Sequence, residues 1–282
     1  MGFLLKGAET AAALTEKAKE RALRLHQRGV EPTLAILRVG EREDDLAYER
    51  GAAKRCARAG VAVRSFALSK EAGQSELLAL IGRLNDDPSV HGVLIMRPLP
   101  PQFDDSAVCR ALSSQKDVDG ITEGSMAGVY SGSQTGFAPC TAQACVELLK
   151  YHGIAITRRR AVVVGRSLVI GRPVAMLLLA ENMTVTVCHT KTENLPVVCR
   201  EADVLIVAAG KAGVLGAESV RPGQVVLDVG IHVGADNKLC GDVRTAEIEA
   251  IVQAVTPVPG GVGAVTASVL AAHVVTAAER QI

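Results

Sequence analysis

The sequence predicts an α/β fold with a mostly parallel sheet, divided between two domains. Short β-branched runs such as TLAILRVG, GVLIMRPL and DVLIVAAG alternate with helix-length segments along nearly the whole chain. This alternation is typical of parallel strands joined by crossover helices. A chain of 282 residues is long enough for two domains of ordinary size. A Pro-rich stretch and then a glycine-containing one, within residues 96–139, interrupt the periodicity and indicate a boundary nearby.

The first domain is predicted to begin with a helix over residues 8–28. These residues combine strong helix formers with apolar positions at helical spacing, and they precede Gly29, a helix stop signal. Three strand-like runs follow: TLAILRVG, VAVRSFAL and GVLIMRPL. The segment PCTAQACVELLKYHG then predicts a bridging helix that ends at Gly153. We therefore expect an N-terminal α/β domain over residues 1–138.

The second domain is expected over residues 139–266 and is predicted to be Rossmann-like. Its strand-like runs are AVVVG, TVTVCHT, DVLIVAAG, QVVLDVG and AVTPVPGG. The last segment, residues 267–282, predicts a helix with no sheet of its own to cover. We expect this helix to pack back onto the first domain.

Composition argues against a nucleic-acid-binding, a disulfide-stabilised and a membrane-spanning protein. Lys plus Arg number 31 and Asp plus Glu 30, so the bulk charge gives no indication of a nucleic-acid or anionic-membrane partner. Seven cysteines form no CxxC pair, so neither a disulfide framework nor a metal site is predicted, and a reducing cytoplasm fits best. The longest apolar stretch, AVTASVLAAHVVTAA, is too short to span a bilayer.

A candidate dinucleotide site follows the first strand of the second domain. In AVVVGRSLVIGRP the strand leads into Gly165, Arg166, Ser167 and Gly171, and then into a helix expected to begin near Pro173. Glycine at such a turn lets the backbone approach a diphosphate, and the N–H groups of the helix start favour the anion. The spacing is G-x-S-x-x-x-G rather than GxGxxG, so a tight turn without a ligand is the alternative.

The next strand indicates which dinucleotide is bound. Enzymes that prefer NAD place an Asp or Glu near its end to bind the ribose 2′-hydroxyl. Here the chain has Cys188, His189, Thr190 and Lys191. No carboxylate is present to repel a 2′-phosphate, and Arg166 and Lys191 are cations that neutralise one. NADP is therefore favoured over NAD, with a solvated loop cation as the alternative interpretation of Lys191.

Ordered motifs along nearly the whole chain resemble those of the methylenetetrahydrofolate dehydrogenase/cyclohydrolase family. They are VG at 39–40, Tyr48, PLP at 98–100, KDVDG at 116–120, PCT at 139–141, GRSLVIGRP, CHTKT, DVGI at 228–231, GDV at 241–243 and TPVPGGVG at 256–263. The resemblance implies an α/β domain and a dinucleotide-binding domain with the folate between them, usually in a homodimer. It also implies oxidation of 5,10-methylenetetrahydrofolate with NADP. Many members then hydrolyse the methenyl product to 10-formyltetrahydrofolate.

The resemblance also implies roles for individual residues. Asp119 would anchor the pterin and Tyr48 would line its pocket, as the candidate catalytic pair, with Met96 and Pro98 beside them. A carboxylate accepts two parallel hydrogen bonds from a pterin, which a hydroxyl cannot do. The alternatives are a turn-forming Asp119 and a Tyr48 packed on the sheet. The remaining implied contacts are to the cofactor or to both ligands: Gly165, Arg166, Ser167, Thr190, Ile231, Gly260 and Gly261.

The chain departs from the family pattern in the substrate pocket. The family has a lysine one helical turn after the tyrosine, and this chain has Ala52 there. Lys54 lies roughly 120° around the helix from Tyr48 and is expected to face elsewhere. The family's glutamine is replaced by Met96, and the leucine after it by Arg97. Further differences are Asp45, Ala142, Ala264 and Val265.

These departures predict an NADP-dependent methylenetetrahydrofolate dehydrogenase whose cyclohydrolase activity is weak or absent. The lysine and glutamine serve the hydrolytic step, in which water is activated and protons move. Hydride transfer mainly requires that the methylene carbon be held against the nicotinamide. Two alternatives stay open. One is a bifunctional enzyme in which Arg97 or Lys54 replaces the base, and the other is a nucleotide-binding paralogue without turnover.

Overall fold

The computed structural model describes residues 2–234 and 237–282, and they form two compact units. The first half of the chain contains β1 (Phe3–Leu4), α1 (Gly7–Gln27), β2 (Thr33–Val39), α2 (Glu43–Arg58), β3 (Ala62–Leu68), α3 (Gln74–Asp86), β4 (Gly92–Ile95), α4 (Asp105–Ala111), α5 (Glu123–Ser131) and α6 (Cys140–Tyr151). The second half contains β5 (Arg160–Val164), α7 (Gly171–Ala180), β6 (Thr184–Cys188), α8 (Leu195–Arg200), β7 (Val204–Val207), β8 (Val225–Asp228), β9 (His232–Val233), β10 (Leu239–Cys240), α9 (Thr245–Ile248), β11 (Ala254–Val255) and α10 (Thr266–Arg280).

One unit, Ala12–Cys140 with Ala267–Ile282, is built on a three-stranded parallel sheet in the order β3-β2-β4. The central strand β2 is almost wholly buried, because neighbours flank it and helices cover it. The C-terminal helix α10 belongs to this unit. Arg21 of α1 donates to Glu279 of α10 with an Nε–Oε1 distance of 3.0 Å, and Thr15 donates to Ser268 at 3.1 Å.

The other unit, Met1–Ala11 with Thr141–Thr266, is built on a six-stranded parallel sheet in the order β1-β11-β8-β7-β5-β6. Strands β5, β7 and β8 are runs of buried apolar residues, as expected for a parallel sheet covered on both faces. Strand β6 lies on one side of β5, and the next strand along the chain, β7, lies on the other side, so the strand order reverses at β5. Ligands of such sheets bind outside the carboxyl ends of the strands at this reversal. The predicted α/β class with a mostly parallel sheet is confirmed.

The assignment of the first eleven residues differs from the sequence prediction, which placed them in the first domain. Strand β1 pairs in parallel with β11, with Phe3 opposite Ala254 and Leu4 opposite Val255, so this segment forms an edge of the larger sheet. A strand of two residues has no periodicity from which a sequence pattern can be recognised. Helix α7 also begins at Gly171, two residues earlier than expected.

Candidate active site

One face of helix α2 carries Tyr48 and the residues that follow it at intervals of four. Tyr48, Ala52 and Cys56 lie on that face because positions i and i+4 are neighbours on a helix. Ala52 is 1% exposed and Cys56 is fully buried, whereas Tyr48 is 42% exposed. Lys54 is exposed on another face of the helix. The structure thus places an alanine, and not Lys54, one turn from the tyrosine.

Two charged residues of the KDVDG segment, Lys116 and Asp117, have structural roles. Lys116 donates to the carbonyl oxygens of Leu84 at 2.8 Å and Asp87 at 2.6 Å, which caps the end of α3. Asp117 is fully buried and holds the turn. Its carboxylate accepts from the backbone N–H groups of residues 121 and 122 at 3.0 and 2.7 Å. The turn-forming role weighed for Asp119 therefore falls to Asp117.

Asp119 lies close in space to Cys140, the first residue of helix α6. Gly120 has a φ of 71°, and a Cβ there would lie 2.5 Å from the Pro139 nitrogen, so the turn packs directly on the chain before α6. Burial raises the pKa of Asp119 to about 6, against hydrogen bonds from the thiol and backbone N–H of Cys140 and the nearby Arg97 guanidinium, which lower it. Because that pKa is still below 7, Asp119 is ionised at neutral pH.

Tyr48 and Asp119 lie close enough to influence each other. Burial of the Tyr48 hydroxyl raises its pKa, and the Asp119 carboxylate raises that pKa further, followed by the thiols of Cys140 and Cys56. The structure therefore brings together both predicted catalytic residues. The phenol of Tyr48 stays protonated at neutral pH, so its hydroxyl is available as a hydrogen-bond donor.

The remaining predicted pocket residues, Met96 and Pro98, follow strand β4. Met96 is buried, and its N–H donates to the Leu37 carbonyl at 2.8 Å, which extends the ladder past the end of the strand. Pro98 is exposed. Arg97 forms a two-pronged ion pair with Asp105, with Nε 2.8 Å from Oδ1 and Nη2 on Oδ2, and its side chain is 31% exposed. The guanidinium is thus already paired with a carboxylate.

Sequence reasoning missed two residues that meet at the residue before Asp119, the buried Cys140 and the partly buried His273. His273 of α10 donates from Nδ1 to the Val118 carbonyl at 2.9 Å, and the Cys140 thiol lies 3.3 Å from the same oxygen and 3.8 Å from Nδ1. Burial lowers the pKa of His273 to about 4, so the imidazole is neutral. Cys140 lies in the segment PCT and His273 in AVTASVLAAHVVTAA. Only the fold shows that these segments meet.

The turn after β5 requires two of its predicted glycines. Gly165 has a φ of 128°, and a Cβ there would overlap the carbonyl of Ala208. A Cβ on Gly171 would overlap the backbone of Gly165, so α7 starts directly against the turn. The Ser167 hydroxyl accepts from the N–H groups of Ile170 at 3.1 Å and Gly171 at 3.4 Å. This turn opens a helix N-terminus, which favours an anion.

Arg166 and Lys191 extend from the ends of neighbouring strands. Val164 of β5 pairs with Cys188 of β6, so the residues that follow each strand lie at the same edge of the sheet. Arg166, Thr190 and Lys191 are exposed. The loop that carries Thr190 and Lys191 is closed by the His189 N–H, which donates to the Thr192 hydroxyl at 2.9 Å. Two cations thus lie where a 2′-phosphate is expected.

The last predicted ligand contacts lie in the same unit. Ile231 follows the end of β8 and is 62% exposed. Gly260 has a φ of 102°, and a Cβ on Gly261 would lie 2.5 Å from the Pro257 carbonyl. The Gly260 carbonyl accepts from the N–H of Gly7 at 2.8 Å. These backbone constraints explain the glycine pair.

Within residues 2–234 and 237–282, no group of three or more His, Cys, Asp or Glu side chains is arranged to hold a metal ion. No helix in that part of the chain combines the length and the apolar character needed to cross a membrane.

The fold and these sites define a two-unit α/β protein whose second unit has the strand order and glycine turn of a dinucleotide-binding domain. Comparison with protein families makes this assignment specific. Residues 139–282 match the tetrahydrofolate dehydrogenase/cyclohydrolase NAD(P)-binding domain, and residues 5–119 match the catalytic domain of the same family. The chain belongs to the tetrahydrofolate dehydrogenase/cyclohydrolase family.

Individual relatives agree over their full length. The chain is 46% identical over 281 residues to the Bifunctional protein FolD of Carboxydothermus hydrogenoformans, covering 99% of this chain and 98% of that one. The crystal structure of the bifunctional FolD of Campylobacter jejuni has a TM-score of 0.96 at 37% identity and covers all of both chains. The Trypanosoma brucei FolD, complexed with NADP cofactor and inhibitor, has a TM-score of 0.91 at 32% identity, covering 99% and 98%. The predicted family, class of enzyme and dinucleotide cofactor are confirmed.

Proposed function

We propose that this chain is an NADP-dependent 5,10-methylenetetrahydrofolate dehydrogenase whose cyclohydrolase activity is weak or absent. One observation carries the proposal. The position one helical turn from Tyr48 is a buried alanine, Ala52, while the nearest lysine in the helix, Lys54, is exposed on another face. The turn, helix start and exposed cations proposed to hold the dinucleotide are all present in the other unit.

Hydride transfer makes few demands on ionisable groups. The bound nicotinamide supplies the hydride acceptor, and the lone pair of a folate nitrogen assists hydride departure, so the protein's task is orientation. We assign Asp119 to the pterin, because its carboxylate is ionised at neutral pH and is held by Cys140. Tyr48, with its raised pKa, offers a hydroxyl donor beside it. Neither role requires the missing lysine.

Asp119 is assigned to the pterin, and the other residues at the positions of the family's hydrolytic machinery supply no base. Ala52 and Met96 are buried and carry no ionisable group. Arg97 is paired with Asp105, and a guanidinium is not deprotonated in proteins, so it does not act as a general base. The phenol of Tyr48 holds its proton at neutral pH because its pKa is raised. These observations favour the monofunctional enzyme over the alternative in which Arg97 or Lys54 replaces the base.

The same proposal includes a preference for NADP over NAD. Arg166 and Lys191 are exposed at the ends of paired strands, and residues 188–192 contain no carboxylate. A charge-assisted hydrogen bond between Arg and phosphate is about twice as strong as a neutral one. We further propose that the chain works as a homodimer in the cytoplasm. Support comes from the family resemblance, the edge position of β6 in the sheet of the described residues, and seven cysteines that are all free thiols.

Two assays of one preparation test the proposal. NADPH formation from 5,10-methylenetetrahydrofolate measures the dehydrogenase, and loss of methenyl absorbance measures the cyclohydrolase. Dehydrogenase activity alone supports the proposal. Both activities at comparable rates support the bifunctional alternative, and the loss of both supports a paralogue without turnover. Light scattering on the same sample tests the homodimer, which a monomeric mass would contradict.

A further inference from the structure

Two buried carboxylates lie beneath the loops that leave β7 and β8. Asp228, the last residue of β8, accepts from the backbone N–H groups of Gly230 at 3.0 Å and of Asp242 and Val243 at 2.9 Å each. Asp242 is fully buried. The first carboxylate thus fixes the position of the second. An ionised carboxylate is stable in such a place only when its oxygens are satisfied by donors.

The carboxylate of Asp242 joins two different loops. Its Oδ2 accepts from the N–H groups of Ala209 at 2.6 Å and Gly210 at 3.0 Å, in the loop that leaves β7. Its Oδ1 lies 2.6 Å from Nε2 of His232, in the segment that leaves β8. A Cβ on Gly230 would overlap Asp242, so the backbone passes directly over this carboxylate. One side chain therefore sets the distance between the two loops.

Ile231 is held between these fixed points. Gly230 on one side is bound by Asp228, and His232 on the other side is bound by Asp242. Ile231 itself is 62% exposed, at the carboxyl ends of parallel strands where the ligands of such sheets bind. The His232 side chain is 25% exposed, so this contact is the outer, adjustable part of the network.

We propose that Asp242 and His232 are positioning residues for the dinucleotide: their contact holds Ile231 and the Ala209–Gly210 loop in the arrangement that binds the cofactor. The inference rests on the proposed function, because it assigns Ile231 to the cofactor. His232 acts through Ile231 and does not touch the reacting atoms. Without the contact, the segment around Ile231 is less ordered. Binding of the cofactor must then order this segment, which costs free energy and lowers the affinity for NADP.

Replacement of His232 tests this role. His232→Ala removes the contact, whereas His232→Gln places an amide N–H donor at a similar distance from the backbone. A hydrogen bond to a charged group corresponds to about a tenfold change in affinity. We expect His232→Ala to raise the Kd and KM for NADP about tenfold, with kcat at saturating NADP and the KM for the folate within about twofold. His232→Gln should restore affinity to within about threefold, and His26→Ala, an exposed histidine of α1, is the matched control.

A double-mutant cycle separates the specific contact from a general loss of structure. Asp242→Asn keeps the shape and the acceptor for Ala209 and Gly210 but removes the charge. In that background, His232→Ala should weaken NADP binding by less than about threefold. The inference is overturned if His232→Ala binds NADP as the wild type does, if Ala and Gln are equally weak, or if the alanine effect is undiminished in the Asp242→Asn background. Failure of the wild type to bind NADP would instead refute the proposed function.

Discussion

Asp119→Asn should make the protein more stable at neutral pH while it removes folate binding. Burial raises the pKa of this carboxyl from 3.8 to about 6, a shift of about 2 pH units. Each unit corresponds to 1.36 kcal/mol, so ionised Asp119 costs about 3 kcal/mol of folding free energy at pH 7.5. The asparagine carries no charge and keeps one acceptor for Cys140. We expect the free energy of unfolding to rise by about 1 to 3 kcal/mol, because the asparagine amide loses part of the hydrogen bonding that the carboxylate makes.

The pH dependence of this gain identifies its cause. The penalty disappears well below pH 3.8, where Asp119 is protonated in both the folded and unfolded states, and it develops as the pH rises through 6. From the shift, we expect a charge penalty below about 1 kcal/mol at pH 4 that rises to about 3 kcal/mol at pH 7.5. Urea unfolding of the wild type and Asp119→Asn across this range measures it.

Asp117→Asn is the matched control, two residues away in the same turn. Its carboxylate accepts from two backbone N–H groups, so the asparagine should destabilise the fold by about 1 to 3 kcal/mol. Opposite signs for the two substitutions are the expected result. If Asp119→Asn is no more stable than the wild type at pH 7.5, or if its advantage does not shrink between pH 6 and pH 4, Asp119 is not a buried carboxyl with a raised pKa.

Three further predictions concern the separation of the two ligand sites. Asp119→Ala should abolish methylenetetrahydrofolate binding and leave the Kd for NADP unchanged in calorimetric titration; near-normal folate binding would contradict the assignment. Arg166→Ala should weaken NADP about tenfold and NAD by less than twofold, because only NADP carries the 2′-phosphate; equal losses would refute the charge argument. Cys140→Ala should raise the KM for the folate about threefold to tenfold, since Asp119 loses a donor, and Cys140→Ser should restore it. Equal KM values for the two Cys140 variants would show that the thiol donates nothing.

The fold was largely predictable because its strands are buried and apolar. AVVVG and DVLIVAAG became β5 and β7, and residues 8–28 became α1, within a residue at either end. Strand β1 was not predictable, because two residues pair with a strand some 250 positions away and leave no local pattern. Local periodicity reports neighbours along the chain and not distant partners.

The candidate site was predictable residue by residue but not as a network. Tyr48 and Asp119 were chosen on a resemblance, and their proximity depends on the Gly120 turn and its packing before α6. The sequence analysis weighed a turn-forming role for Asp119 alone, and only hydrogen bonds to specific N–H groups assign that role to Asp117. His232 and Asp242 are ten positions apart with a hairpin between them, so their contact had no sequence signal.

The most direct test of the central claim compares methenyl hydrolysis with NADPH formation in the wild type and in Ala52→Lys/Met96→Gln. The variant restores the family lysine at Ala52, which is buried one turn from Tyr48, and the family glutamine at Met96, which follows β4. A general base contributes on the order of 10²- to 10⁴-fold. Asp45 one turn before Tyr48 opposes the gain by holding the new lysine protonated, although Arg42 already lies 3.8 Å from that carboxylate.

We expect the ratio of hydrolysis to NADPH formation to rise at least about a hundredfold in the variant, while NADPH formation changes by less than about threefold. Ala52→Met/Met96→Gln, which adds bulk without a base, should leave the ratio at the wild-type value. A wild type that already hydrolyses the methenyl compound as fast as it forms NADPH would contradict the account. So would a folded, NADP-binding Ala52→Lys/Met96→Gln variant whose ratio stays at the wild-type value.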